Sequence, residues 1–120
     1  MSHYLLSVHS VEGESHPPPD PNQMEQMMAK VNALEARMEA ENALVFSGAL
    51  HGADIATVVR AQDDEVLTTD GPFAEAKEQI AGIYLVDAPD LDKALDWAAQ
   101  TSDCVGRAIE VRSFQHARIV

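Results

Sequence analysis

The apolar residues of this chain recur at two different spacings, and the order in which those spacings alternate restricts the fold more than any single motif does. Tyr4-Leu5-Leu6-Ser7-Val8 is a short apolar run that reads as a strand buried on both faces, with His9 at or just beyond its end. Met24, Met27, Met28, Val31, Leu34 and Met38 then return at three- and four-residue steps, which predicts one face of a long helix running to about Glu41. The start of that helix is well marked. Asp20 can cap it, Pro21 suits its first position, and Gln23 stands where a capping box needs a Glu or Gln. Residues 43–50 read as a strand, 57–60 and 66–68 as the arms of a hairpin around 62–65, and 82–86 as a further strand. Asp87-Ala88-Pro89-Asp90 opens a second helix with Leu91, Ala94, Leu95 and Ala98 on one side, and 108–112 alternates as a closing strand.

Strand, helix, strand, hairpin, strand, helix, strand is the order of an α+β sandwich, with helices on one face of a mainly antiparallel sheet. Such a sheet leaves its second face open, to be polar or covered by a partner. A homodimer with facing sheets is the economical arrangement. At 120 residues one domain over 1–120 is expected, and no internal repeat or linker divides it. A fold of 13.0 kDa hides roughly two thirds of its unfolded surface, enough for a core without disulfides or a structural metal.

The charge balance narrows the function. Eight Lys and Arg stand against twenty Asp and Glu, a formal net charge of −12. Nucleic acid needs a basic footprint, and here the cations are scattered singly, so no nucleic-acid partner is expected. Anionic membranes repel the same surface, and no apolar run approaches the ~20 residues of a membrane span. Residues 1–10 lack the basic-then-apolar pattern of a secretory signal, and Cys104 is alone, so a reducing, cytoplasmic setting is expected. His9, His16 and His51 have no metal-ligand spacing, so neither a metal nor another cofactor is expected.

The most informative stretch is Thr69-Asp70-Gly71-Pro72-Phe73-Ala74-Glu75-Ala76-Lys77-Glu78-Gln79-Ile80-Ala81-Gly82. It resembles the signature of the DGPF family, within the larger YCII-related superfamily. Tyr84-Leu85-Val86-Asp87, Asp90-Leu91-Asp92-Lys93-Ala94 with Trp97-Ala98-Ala99, and Ile109-Glu110-Val111-Arg112 are similar to that family's following strand, helix and closing strand. The likeness covers most of residues 3–114. It implies a ferredoxin-like fold and a homodimer of the α+β-barrel type. YCII-like proteins are read as enzymes because a His near the end of the first strand approaches an Asp in a pocket, and some relatives act on small cyclic or halogenated compounds. Many DGPF members are encoded beside extracytoplasmic-function sigma factors. By position the pair here is His9 and Asp70. The Pro-rich loop from His16 to Pro21 departs from the family pattern at the pocket mouth.

As chemistry, a carboxylate bonded to one imidazole nitrogen fixes the tautomer and raises basicity at the other. A His9–Asp70 pair can thus serve as general acid or base on a small acidic or carbonyl compound without a cofactor. No Ser or Cys sits in a recognisable activating motif. The structural reading of Asp70 is an Asx-turn or helix cap before Gly71-Pro72. Three further residues are candidates for substrate binding, each with a plain alternative. His51 ends an apolar strand, or is an exposed turn residue. Arg60 can take an anionic group, or is a solvated strand charge. Tyr84 can turn its hydroxyl into a pocket, or simply pack. Phe73 is expected to plug the core, and the methionine stripe to pack in it. Two functions stay open: a small acid/base enzyme, and a non-catalytic ligand- or protein-binding module linked to sigma-factor signalling.

Overall fold

The computed structural model describes residues 2–11, 20–72 and 78–120. The proline-rich loop of residues 12–19 with His16, and the proposed core role of Phe73, lie outside the described residues. Among the described residues, six strands and two helices run in the order β1 (Ser2–Val11), α1 (Pro21–Ala40), β2 (Leu44–Ala49), β3 (Thr57–Gln62), β4 (Glu65–Asp70), β5 (Glu78–Ala88), α2 (Leu91–Val105) and β6 (Ile109–Ser113), with a 3₁₀ turn at Ala53–Ile55. The main sheet is antiparallel in the order β2-β5-β1-β6. Without the β3–β4 hairpin, this is the ferredoxin-like βαββαβ arrangement, an α+β fold with both helices on one face.

Local chemistry fixes the ends of these elements. Asp20 accepts the Gln23 N–H at 2.8 Å while the Gln23 side chain accepts the Asp20 N–H, a complete capping box at the head of α1. Asn42 adopts φ 56° just past its end, and the Ala43 N–H reaches back to the Met38 carbonyl at 2.8 Å. Asp90 caps α2, and Gly106, at φ 68°, ends it. The hairpin turns on Asp63-Asp64, both at positive φ, as a two-residue turn matching strand twist requires. Each arm runs two residues beyond the sequence expectation, so Asp70 is the last strand residue of β4, opposite Thr57.

The core lies between the sheet and the helices. Tyr4 and Leu6 from β1, Tyr84, Val86 and Ala88 from β5, Leu34 and Met38 from α1, and Ala94, Trp97 and Ala98 from α2 form one buried cluster. The methionine stripe does not pack as expected. Of its residues only Leu34 and Met38 are buried, while Met24 and Met28 are nearly half exposed. For Met28 the reason is the sheet beneath it. It presents Ser47, Ala49 and Gly82, which are too small to reach the helix.

Candidate functional site

The strand expected to end near Val8 continues to Val11, so His9 stands inside β1. Alternation puts Leu6 and Val8 toward the helices and Ser7 and His9 together on the opposite face. The pairing with β5 slips here: Val8 faces Gly82, His9 faces Ile80, and Ala81 is the extra residue of a bulge. Ser7 is 2% exposed, and its Oγ lies 2.9 Å from His9 Nε2. His9 Nδ1 is buried and has no hydrogen-bond partner among the described residues. Whichever of the two groups donates, Nε2 is committed to Ser7 and Nδ1 is the ring atom left open. Ser7 is the residue that motif reasoning passed over. Its only signal is the two-residue spacing, which in a strand places both side chains on one face.

The corner that follows Asp70 is fixed by its own backbone. The Gly71 N–H donates to the Ala56 carbonyl at 2.7 Å, closing the corner beside Asp70. A Cβ on Gly71 would stand 3.2 Å from that carbonyl oxygen and 3.0 Å from Val58, so the corner needs glycine. Ala56 lines a cavity of about 350 Å3 with Ile80, the strand partner of His9. No hydrogen bond joins Asp70 to His9 among the described residues, and the imidazole's partner is Ser7.

The three substrate-binding candidates do not gather round His9. His51 is exposed and lines the 350 Å3 cavity beside Ile80, but β5 stands between it and β1. Arg60 faces Leu67 on the hairpin, whose alternation sends Arg60 and Asp70 to opposite faces of the arm. Tyr84 faces the helices, away from Ser7 and His9, in a separate cavity with Glu35 of α1. Burial, then the charge and hydrogen-bonding reach of the Glu35 carboxylate, and then Cys104, raise its phenol well above the ordinary tyrosine range. Among the described residues no three metal-ligating side chains converge, and no helix is long and apolar enough to cross a membrane.

Two comparisons bear on this geometry. An uncharacterized protein of Rhizobium meliloti (strain 1021) is 35% identical over 79 residues, which are 66% of this chain and 64% of that relative's length. The family model of the YCII-related domain matches residues 3–114, from the second residue of β1 to just past β6. With the βαββαβ core complete inside that match, the chain belongs to the YCII-related domain family.

Proposed function

We propose that this protein is a cofactor-free acid/base catalyst acting on a small acidic or carbonyl compound, with His9 as the proton-transferring group and Ser7 as the residue that positions it. The observation carrying this reading is the 2.9 Å contact between Ser7 Oγ and His9 Nε2 beside a buried Nδ1 that has no partner among the described residues. A ring pinned through one nitrogen offers the other in a fixed direction, as general acid/base chemistry requires. Ser7 is too buried to serve as a nucleophile itself. Asp70, which the motif would pair with the imidazole, makes no hydrogen bond to it among the described residues, so in this reading Ser7 orients the ring and Nδ1 is left for the substrate proton. The Asp70-Gly71-Pro72-Phe73 run supports placing the chain in the DGPF branch of its family.

The test does not need the natural substrate. In D2O, the wild-type protein is expected to wash deuterium into the carbon next to the carbonyl of at least one compound in a panel of small keto and lactone acids. His9→Ala should slow that exchange by about 100-fold or more, the low end of what a positioned acid/base group contributes. Ser7→Ala should slow it less and move the neutral ring toward a mixture of tautomers in ¹⁵N-resolved spectra. Equal exchange by wild type and His9→Ala on every panel member would end this reading.

A second copy of the chain is proposed to cover the open sheet face. Phe46, Leu5, Ile83 and Leu85 lie on that face, with Phe46 54% exposed, and Val59 and Val66 on the hairpin are 62% and 68% exposed. Apolar side chains left exposed on an open sheet face are what an association site presents. Sedimentation equilibrium is expected to return twice the 13.0 kDa chain mass, and Phe46→Lys to lower it. A single-chain mass at every concentration would remove the dimer.

A further inference from the structure

The gap under the first half of α1 is a cavity of about 300 Å3, distinct from the His9 site. Its volume is at the lower end of the roughly 300–1,000 Å3 range of small-molecule sites. It opens to solvent beside Met28, which is nearly half exposed, so a small molecule can reach it without the fold opening. The gap follows from the sequence of its floor. Gly82 is buried in β5, and a Cβ there would come within 3.1 Å of the Gly48 carbonyl oxygen. Beside it stand Ser47 and Ala49. No larger side chain rises from this floor to meet Met28 and Val31 on the helix.

The walls are apolar: Val8, Met28, Val31, Ala49 and Val105. Methionine adapts its shape to different guests, which suits a binding wall. Two ionisable side chains line the space among the described residues, Glu35 and Tyr84. Val31 and Glu35 are one helical turn apart and share the face that looks into the gap. Glu35 is half-buried, and no cation pairs with it among the described residues. A carboxylate in that position is incompletely compensated. The nearby phenol can donate to one of its oxygens, leaving the rest of the acceptor capacity open.

We propose that this cavity binds a compact apolar ammonium compound, its cationic head on Glu35 and its hydrocarbon body between α1 and the sheet. An anion would meet both Glu35 and a chain of net charge −12. A neutral molecule would fill the walls and leave the carboxylate unpaired. An amine with a ring-sized body satisfies both, and a charge-assisted N–H···O⁻ bond is the strong kind.

Three probes of one shape test this: phenethylammonium, 2-phenylethanol and phenylacetate, each titrated into the full chain with ¹³C-labelled methionine methyls. The Met28 methyl is expected to shift with phenethylammonium at millimolar concentration, with binding at least about tenfold tighter than for phenylacetate. Glu35→Gln should remove the preference for the ammonium over the alcohol. Tyr84→Phe, which keeps the charge, should retain it. Ser47→Leu should fill the gap and abolish the Met28 shift for all three probes. His9→Ala should change none of this, which separates the cavity from the catalytic reading. Equal affinity for the carboxylate, an unchanged preference in Glu35→Gln, or no Met28 shift with any probe would each overturn the proposal.

Discussion

Trp97→Ala is expected to cost about 3–5 kcal/mol, a large part of the roughly 5–15 kcal/mol that holds a domain of this size folded. The indole is 1% exposed and is the largest fully buried side chain of the chain. It joins the α2 side of the core to Leu34 and Met38 from α1 and to the β1–β5 centre of the sheet. Truncation leaves an indole-sized hole bounded by three elements that other contacts hold in place, so collapse is limited. Above the ring, Lys93 Nζ sits 4.4 Å from its centroid and reaches Glu41 at 3.3 Å and Asp96 at 3.4 Å. Those ion pairs are exposed and add little, so Lys93→Ala should be a minor change. Trp97→Phe is the informative control. Indole Nε1 is buried without a partner among the described residues, so losing that N–H forfeits no protein hydrogen bond. Urea denaturation should therefore place Phe much nearer wild type than Ala. A loss in Phe equal to that in Ala would mean that the N–H, not the packing volume, is what the site needs.

The fold was legible because its evidence is local. The capping box at Asp20-Gln23, the alternation of Ile109 and Val111, and the apolar strand at 82–86 each specify one element, and their order leaves few topologies. What periodicity cannot report is whether anything lies opposite a face. Met24, Met28, Leu34 and Met38 follow one helical pattern, yet only the last two are buried, and under Met28 the sheet positions are occupied by small residues far away in sequence. His9 misled for a related reason. His9 and Ser10 follow the apolar run and look like the end of a strand, whereas β1 continues through them to Val11 and sets Ser7 and His9 on the face that the helices do not cover. Asp70 was legible as part of a motif, but a motif cannot report a long-range contact, and among the described residues no hydrogen bond joins Asp70 to His9. Ser7 carries no motif at all. Glu35 reads as one more solvated helix acid until the gap beneath it is seen.

Stability should fall above pH 10 through Tyr84, and the sign follows from which state holds the proton. The side chain is 7% exposed. Burial first, then the charge and hydrogen-bonding reach of Glu35 from α1, then Cys104 from α2, disfavour the phenolate and raise the folded-state pKa far above the ordinary value of 10.0. Leu6 across β1 and Ser47 across β2, its strand neighbours, carry no ionisable group. Below the ordinary value both states are protonated and the residue contributes no pH dependence. Above it the unfolded chain releases the proton while the folded chain keeps it, so the native state binds more protons and stability declines by about 1.4 kcal/mol per pH unit. Other tyrosines and lysines add their own slopes, so the quantity to measure is the difference between wild type and Tyr84→Phe. From about pH 7 to 9 that difference should be flat. From about pH 10 to 12 it should move by about 2 kcal/mol in favour of the Phe variant. Urea midpoints at four or five pH values suffice. A difference that stays flat to pH 12 would mean that the phenol ionises in the folded protein as it does in water, and that α1 opens over the Glu35 cavity far enough to hydrate it.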